Sequence, residues 1–436
     1  MKIQFPFLAV FILKILLFPI GIFAQGSWIE LSSPTNALLK KCIFTDTLNG
    51  WAIGDSGIII HTSNGGTDWN IQSSEPDHFL RDIHFVNSTT GWATAWFSNF
   101  NPGTLFYKTT NGGVNWITEM YPDSSYFIES IYFTTPLNGY FGTAFPSGKI
   151  YYTTDGGISW NPSQHDSSFQ SSFPIRGMKF YDSNTGFALG GFFDIAGVIW
   201  RTTDAGISWI AQSVGPEPIN DILFKNNADF MAVGGDYEFG PSVSKTSNSG
   251  ANWQYETLKE FGIAYSIDKR TQDQYWIALG FAGKFLYSSD AGERWDLLPT
   301  PGNHNIYCID FVDEAHGWGV GDSGVIVKFD PSSIGITFTG STVPEEFIVH
   351  QNYPNPFNPS TNIEIDNPSS SGFLEITIYN ILGEELTKEI VKNLSSGRYR
   401  YAFDGTSYQS GVYFYRVSLY HQNKVTSQTK RMVLLK

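Results

Sequence analysis

The sequence predicts an all-β protein in which a seven-bladed β-propeller precedes a small β-sandwich. Of its 436 residues, 16% are aromatic, 43 are glycine and only 16% are charged, a composition typical of strands and turns. Seven tryptophans, the first of them Trp28, recur at intervals of 41 to 49 residues. A period of about 40 to 50 residues with several short strands per unit indicates a propeller. Six of the seven tryptophans close the same turn motif, in the copies HTSNGGTDW (61–69), KTTNGGVNW (108–116), YTTDGGISW (152–160), RTTDAGISW (201–209), KTSNSGANW (245–253) and YSSDAGERW (287–295).

Residues 79–120 illustrate how one repeat is expected to fold. Three strands, LRDIHFVN, GWATAWF and TLFYKTT, lead through the turn Asn111-Gly112-Gly113 into a fourth, VNWITEM. The Asn side chain can accept hydrogen bonds from backbone amides of its own loop, and glycine adopts positive φ at little strain. The Thr or Ser two residues before the Asn is expected to pack against the turn, and the closing Trp to bury its ring between neighbouring sheets. Four strands joined by hairpins make one blade.

The end of the repeat region predicts how the ring closes. Inner-strand phrases such as DIHF and GMKF occur seven times, but the last repeat stops after 317–330 without a turn motif or Trp. Residues 28–31 are therefore expected to supply the outer strand of blade seven, leaving no open edge. Cys42 and Cys308 lie on the inner strands of blades one and seven, which are neighbours in a closed ring. Either a disulfide or two separate buried thiols fits this placement.

The turn motif resembles the aspartate box of bacterial neuraminidase repeats. The longer block GWAIGDSGIIIHTSNGGTDW (50–69) is similar to propellers of the photosystem II stability and assembly-factor family, and comparable blocks begin at Gly91, Gly139, Gly186 and Gly317. The resemblance covers about 300 residues and implies the propeller fold. It implies no activity, because the aspartate box occurs in sialidases, xyloglucanases, sortilin-type receptors and assembly factors alike.

The N-terminal residues predict export. Lys2 is followed by a long apolar run that ends in Ile22-Phe23-Ala24, the pattern of a secretory signal peptide (1–24) cleaved after Ala24. The alternative is an uncleaved membrane anchor, but Lys14 and Pro19 interrupt the run. No later stretch is long enough to cross a membrane, so the mature form, with a propeller over 25–330, is expected to have no transmembrane segment.

The C-terminal residues predict a second domain after a small-residue linker (331–343). Residues 344–436 contain alternating strands sufficient for a small β-sandwich of six or seven strands. Within them, NYPNPFNPST (352–361), YNILGEE (379–385), SGVYFYRV (410–417) and the terminal KRMVLLK resemble a type A sorting domain of type IX secretion. The resemblance implies the type IX machinery as a partner and passage through the periplasm, followed by release or attachment at the outer cell surface. The alternative is a sandwich domain with an adhesion role.

The charge distribution excludes nucleic acid as a partner. The formal net charge is −14; residues 344–436 hold nine acidic and nine basic residues, so the earlier part carries the whole excess (18 minus 32). An acidic body repels phosphate backbones. The assembly-factor role is not expected to transfer either, because the resemblance implies basic patches there.

A search for catalytic and metal-binding patterns gives no enzyme assignment. A sialidase needs converging arginines, but residues 27–330 contain only five: Arg81, Arg176, Arg201, Arg270 and Arg294. Xyloglucanase-type enzymes place paired acids between two propellers, and only one fits here. The candidate acids are Asp123, Asp166, Asp194, Asp236 and Glu238. The histidines His78, His84, His165 and His304 lack metal-ligand spacing. No catalytic residue, cofactor or metal is predicted.

The most informative functional pattern is the length of the loops on one face. In a propeller, the connections between blades and the hairpins between second and third strands open on the same side, and here these segments are long and aromatic. The candidate ligand-binding residues are Trp96, Phe97, Phe100, Phe193, Tyr237 and Phe239. Aromatic rings beside acids suit sugar rings or a protein partner. We therefore expect an exported recognition module for a glycan or protein, with a carbohydrate-active hydrolase and a structural surface role as alternatives, and loops merely folded back on the rim as a further reading.

Overall fold

A computed structural model describes residues 26–72, 78–97, 103–123, 125–331, 336–340, 344–369, 372–392, 396–405, 408–422 and 424–436. These residues form strands, turns and three short 3₁₀ helices, Phe169–Ser172, Pro301–Asn303 and Asp322–Gly324. Within the described ranges no helix is long and apolar enough to cross a membrane. The expected all-β fold is confirmed.

The described residues from 27 to 331 form seven antiparallel sheets, each with its strands in the order inner, second, third, outer. The inner strands are Leu39–Phe44, His78–Phe85, Phe127–Phe133, Ile175–Phe180, Ile219–Phe224, Ser266–Lys269 and Ile306–Phe311. The second strands are Gly50–Gly54, Gly91–Phe97, Gly139–Phe145, Gly186–Phe192, Phe230–Asp236, Tyr275–Ala278 and Gly317–Gly321. The third strands are Ile59–Thr62, Thr104–Thr109, Ile150–Thr153, Ala196–Thr202, Gly240–Thr246, Lys284–Ser288 and Ile326–Asp330. The outer strands are Asn70–Gln72, Ile117–Met120, Asn161–Pro162, Ser208–Gly215, Gln254–Thr257, Asp296–Pro299 and Ser27–Leu31. A short strand, Gln164–His165, also pairs in parallel with Ser208–Trp209.

The ring closes with the N-terminal strand, as the missing last turn motif predicted. Ser27–Leu31 pairs antiparallel with Ile326–Asp330, so both ends of the propeller lie in one sheet. Across the closure, the Cys308 thiol donates to the carbonyl of Cys42 at 3.5 Å. Both cysteines are free and buried. A hydrogen bond with Cys308 and burial together raise the pKa of the Cys42 thiol.

The turn motif is held by the same three hydrogen bonds in every copy. In the first copy, the Thr62 hydroxyl donates to Asn64 Oδ1 at 3.0 Å and accepts from the amide of Gly66 at 2.9 Å, while Asn64 Oδ1 also accepts from the amide of Asp68 at 3.0 Å. Equivalent bonds start from Thr109, Thr153, Thr202, Thr246 and Ser288. The hydroxyl therefore connects the Asn or Asp side chain to the glycine amide of the turn rather than only packing against it.

The main aromatic packing between blades comes from the second strands, not from the tryptophans that close the turn motifs. Four of the six motif tryptophans are only half-buried: Trp116, Trp160, Trp253 and Trp295. Trp51, on a second strand, is fully buried and stacks on Phe85 of the next inner strand with ring centroids 3.7 Å apart. Trp92 stacks in the same way on Phe133 of the third blade at 3.6 Å. The expectation that each motif tryptophan buries its ring between sheets is therefore wrong for these four. The inner strand of the next blade packs on the second-strand rings and leaves the motif tryptophans partly exposed.

The C-terminal residues form the expected small β-sandwich, with eight strands. One sheet contains Ile336–Gly340, Gly397–Asp404, Ser360–Asn367 and Ile348–Val349, and the other Glu385–Lys392, Phe373–Tyr379, Gly411–His421 and Lys424–Leu434. The first of these strands lies within the segment predicted as a linker (331–343), because it pairs antiparallel with Gly397–Asp404. The segment 352–361 folds against the sandwich: Phe357 is buried, and its amide donates to Val433 O at 2.9 Å.

We predict that Trp51→Ala lowers the free energy of unfolding by about 3–5 kcal/mol, because it removes a fully buried ring and leaves a cavity against Phe85. Trp116 touches the same Phe85 edge-on but is half-buried, so Trp116→Ala should cost clearly less. Urea unfolding of the two variants and the parent measures the difference. Equal losses would contradict this assignment of the core.

Candidate binding face and central channel

One face of the propeller carries the connections between blades and the hairpins between second and third strands, and we call it the upper face. The turn motifs lie on the opposite face, where the amide of Gly65 donates to Leu48 O in the turn between inner and second strands at 2.9 Å. On the upper face, the amide of Asp55 in a second-to-third hairpin donates to Leu38 O, just before an inner strand, at 3.0 Å. The long loops noted in the sequence share this upper face.

The inner strands surround a central cavity of about 520 Å³. In six of them a β-bulge interrupts the pairing with the second strand, and such a bulge leaves one residue unpaired and redirects its side chain. The bulged residues line the cavity at its upper end, together with the residue that precedes the inner strand of the sixth blade. We call these seven residues, one from each blade, the mouth ring: Lys40, Arg81, Glu129, Arg176, Asn220, Tyr265 and Tyr307.

Arg81 is held on two sides. Its guanidinium forms a two-pronged salt bridge with Glu129, one contact of which is Nε to Oε2 at 2.9 Å. It also lies 4.3 Å from the ring centroid of Trp96, whose indole N–H donates to Ile128 O at 2.8 Å. A cation over an aromatic face and a paired carboxylate both stabilise the charge. Arg81 is therefore fixed and compensated in the unliganded protein.

Arg176 is fixed in position, but no carboxylate of the described residues pairs with its positive charge. Its guanidinium lies 4.5 Å from the ring centroid of Phe193, and its buried Nε has no hydrogen-bond partner. Among the described residues no carboxylate lies within salt-bridge distance of it. Burial lowers the pKa of Arg176, with Glu129 acting in the opposite direction. A buried, unpaired N–H of a cation is costly unless a ligand acceptor completes it.

Two tyrosines form another part of the mouth ring. The rings of Tyr265 and Tyr307 meet edge-to-face with centroids 5.3 Å apart. Burial raises the pKa of Tyr265, and a hydrogen bond with Tyr237 adds to the shift. Both phenols therefore stay protonated and can donate hydrogen bonds to a ligand.

The carboxylates deeper in the channel connect neighbouring blades. Each accepts a hydrogen bond from a backbone amide on the inner strand of the next blade: Asp82 from Ile131 at 2.9 Å, Asp221 from Ile267 at 3.0 Å, Asp268 from Phe311 at 2.7 Å and Asp310 from Phe44 at 2.6 Å. The last of these bonds crosses the ring closure. These hydrogen bonds indicate that the carboxylates hold neighbouring inner strands together.

Buried like charges perturb the titration of this inner group. Burial raises the pKa of Asp310 to about 7 and the charge of Asp268 adds to the shift, whereas the amide of Phe44 and the ammonium of Lys179 oppose it. Burial also raises the pKa of Asp268. Two cations partly balance the group: Lys179 Nζ lies 3.9 Å from Asp221 Oδ1, and Lys41 Nζ lies 3.1 Å from Asp82 Oδ1.

The aromatic residues predicted from the sequence divide between several places on the upper face. Trp96 and Phe193 lie against the arginines of the mouth ring, and Phe97 packs edge-on against His78 at 5.1 Å. Tyr237 packs against Phe281 at 5.7 Å and is half exposed, as is Phe239. Phe100 lies outside the described residues. Within the described part of the chain no ring contact joins two of these residues.

The mouth ring itself was missed at the level of sequence, although a signal exists. Its members occupy the position four residues before the end of each inner strand, as Arg81 does before Phe85 and Arg176 before Phe180. If the seven inner-strand phrases are aligned on that last residue, the mouth-ring residues fall into one column of the alignment. Local motifs do not reveal it, because the column contains five residue types.

Of the histidines and acids named from the sequence, His84 lies in the channel, and Asp194 and Asp236 lie close together. His84 lies in the channel beside Tyr132, and burial lowers its pKa to about 4. In the described ranges the only group of three or more possible metal ligands consists of Asp194, Glu217 and Asp236, and it contains no histidine.

Two family models match the chain. Residues 22–330 match the family described as Photosynthesis system II assembly factor YCF48, and residues 351–434 match the Secretion system C-terminal sorting domain. The sorting domain indicates a secreted or cell-surface protein delivered by type IX secretion machinery.

Individual relatives agree with the first match. The Photosystem II assembly lipoprotein Ycf48 of Synechococcus sp. (strain CC9902) is 24% identical over 329 residues, covering 70% of this chain and 89% of that protein. The solved structure of YCF48 bound to D1 peptide superposes with a TM-score of 0.56 at 20% identity, over 70% of this chain and 96% of its own. YCF48 from Cyanidioschyzon merolae gives a TM-score of 0.56 at 19% identity, over 70% and 99%. At these identities the superpositions show the propeller fold.

We predict that Asp310→Asn reduces the pH dependence of stability. Because the pKa of Asp310 is higher in the folded chain than in the unfolded chain, the folded state binds more protons between about pH 4 and pH 7. The free energy of unfolding should therefore fall as the pH rises through this interval, by up to about 1.4 kcal/mol per pH unit from this group. An Asn oxygen can still accept the hydrogen bond from Phe44.

Chemical denaturation at pH 5, 6, 7 and 8 measures the slope, with the exposed Asp123→Asn as the control that leaves it unchanged. The same slope in Asp310→Asn and in the parent would show that Asp310 titrates normally.

Proposed function

Because the chain belongs to the Photosynthesis system II assembly factor YCF48 family and ends in a secretion system C-terminal sorting domain, we propose that it is an exported recognition module. Its ligand is a polypeptide segment that bears a carboxylate, bound across the channel mouth on the upper face. The observation that carries the proposal is the buried, unpaired Nε of Arg176 at the edge of a cavity of about 520 Å³.

The chemistry of the mouth ring supports an anionic group as the anchor. A carboxylate accepts two parallel N–H bonds from a guanidinium, and this arrangement is strongest where water is partly excluded. The Lys40 ammonium pairs with Asp55 at 2.6 Å and Arg81 pairs with Glu129, so Arg176 is the arginine of the ring that lacks a carboxylate. An incoming carboxylate would supply it.

The rest of the mouth ring suits a polypeptide backbone beside that carboxylate. Asn220, from the blade next to that of Arg176, offers both donor and acceptor groups, and Tyr307 offers a hydroxyl from blade seven. The aromatic rings of Phe193 and Tyr237 flank the mouth with 42% and 49% of their surface exposed and can cover apolar side chains. The relative described as YCF48 bound to D1 peptide carries a peptide on the same fold, which favours a peptide over other ligands.

Two other functions considered from the sequence, glycan hydrolysis and glycan binding, receive less support. A hydrolase needs a pair of accessible carboxylates, but Asp82 and Asp310 in the channel accept backbone hydrogen bonds from the next blade, and Glu217 on the upper face is fully buried. A neutral glycan would leave the Arg176 guanidinium without an anionic partner. An acidic glycan offers the same carboxylate chemistry as a peptide, and a binding experiment separates the two.

We predict that the purified protein binds acidic peptides and that Arg176→Gln weakens this binding by about 10- to 100-fold, the usual effect of losing a charge-assisted pair. The affinity of Arg176→Lys should lie between those of the parent and of Arg176→Gln, because an ammonium keeps the charge but loses the planar pair of donors. Binding is measured by fluorescence anisotropy with a library of labelled peptides that have free or amidated C-termini. Oligosaccharides with and without uronic acids are tested in parallel.

The matched control is Arg294→Gln, which removes an arginine from a turn motif on the opposite face whose side chain is 90% exposed. It should leave binding unchanged. If the protein bound oligosaccharides that contain uronic acids but bound no peptide, the ligand would be an acidic glycan and not a peptide. Peptide binding equally strong in Arg176→Gln would overturn the site.

A further inference from the structure

Three carboxylates from separate loops meet on the upper face, beside blades four and five. Asp194 lies in the hairpin after Gly186–Phe192, Glu217 in the connection after Ser208–Gly215, and Asp236 at the end of its second strand. One carboxylate oxygen from each lies within 4.8 Å of the others. None of these residues belongs to the mouth ring.

Glu217 is the least satisfied member of this group. Its side chain is fully buried; Oε2 accepts a hydrogen bond from the amide of Asp194 at 3.4 Å, and Oε1 has no partner. Asp236 is 7% exposed, and its Oδ1 accepts from the amides of Glu238 and Phe239 at 3.0 and 2.6 Å. A buried carboxylate with an unpaired oxygen is costly, and native proteins rarely leave one without a partner.

Among the residues that the structure describes, no cation pairs with this group. Within the described ranges, none of the four acidic residues at this place, Asp194, Glu217, Asp236 and Glu238, forms a salt bridge. Burial raises the pKa of Glu217, and the charges of Asp236, Asp194 and Glu238 add to the shift, while the Asp194 amide opposes it. A bound cation would remove both the unpaired oxygen and the repulsion.

We propose that Asp194, Glu217 and Asp236 bind a calcium ion. Oxygen-only ligands select a hard cation, and the absence of His and Cys from the group argues against zinc or copper. Two oxygens on opposite sides of a Ca²⁺ ion are separated by about 4.6–5.2 Å, twice the usual Ca–O distance, so the observed oxygens fit one coordination shell. Asp194 is exposed and leaves room for water to complete the shell. Mg²⁺ fits less well, because it requires near-ideal octahedral geometry and keeps most of its water.

The ion would order part of the binding face. Asp194 follows Phe193, which lies against Arg176, and Asp236 precedes Tyr237, which packs against Phe281. Fixing the two carboxylates therefore fixes the two hairpin tips that flank the mouth ring. The site does not depend on the proposed peptide ligand, since its residues lie outside the ring.

The experiment compares thermal unfolding of the purified full protein after EDTA treatment and after addition of about 10 mM CaCl₂ or MgCl₂. With a Kd of about 10⁻⁴ M, typical of the weaker extracellular sites, calcium should raise the Tm by about 3–5 °C, and magnesium by less. Equilibrium dialysis with ⁴⁵Ca should show one ion lost in the variants relative to the parent.

The decisive variant is Glu217→Gln, with Glu119→Gln on an exposed outer strand as the matched control. In EDTA, Glu217→Gln should unfold at the same temperature as the parent or above it, because it removes an unpaired buried charge, yet it should lose the response to calcium. Asp194→Asn, at an exposed position that cannot disturb the core, should lower the calcium affinity by at least about tenfold. A parent protein that ignores calcium would overturn the site, and so would a Glu217→Gln variant that keeps the full calcium response.

Discussion

The packing between several blades depends on one repeated interaction, in which a second-strand aromatic ring of one blade stacks on the inner-strand phenylalanine of the next. Trp51 on Phe85, Trp92 on Phe133 and, across the closure, Trp318 on Phe44 all have ring centroids within 3.7 Å. The indole N–H groups of Trp51 and Trp318 also donate to glycine carbonyls in the turn motifs of the next blades. No blade completes its core alone, so each depends on its two neighbours, and the first and last blades are fully packed only when the ring closes. Closure in turn fixes the spacing of the inner strands around the channel.

Sequence reasoning succeeded for features determined within one repeat and failed for those determined by the next. The turn motif was predictable because its hydrogen bonds join residues of a single loop, such as Thr62 and Asn64. The closing strand was predictable because an open edge requires a partner. The burial of Trp51 compared with Trp116 was not, because the position of the neighbouring blade decides it. The strand Ile336–Gly340 was predicted to be part of a linker, because its composition of small residues is compatible with a linker as well as with a strand. Only its pairing with the distant strand Gly397–Asp404 makes it a strand.

The candidate site shows the same limit in electrostatic form. A net charge of −14 suggested an acidic body, yet the mouth ring contains three cations and one carboxylate. A sum over 436 residues cannot report the charge of seven positions that the fold brings to one opening. The aromatic loops were found because local sequence marks them, whereas Arg81 and Arg176 were considered only among the five arginines of residues 27–330, which do not indicate a sialidase site.

The β-bulges explain how such a ring can vary without loss of the fold. A bulged residue is outside the pairing of its strand and, here, outside the aromatic core, so its identity is nearly free of structural demands. Its neighbour is not: Asp82 follows Arg81 directly and holds the inner strand of the next blade through Ile131. The proposed binding role and the stabilising role thus fall on adjacent residues of one strand, both of which line the channel. Membership of the family therefore predicts the architecture closely, while the ligand must be inferred from the seven side chains that this chain places in the mouth ring.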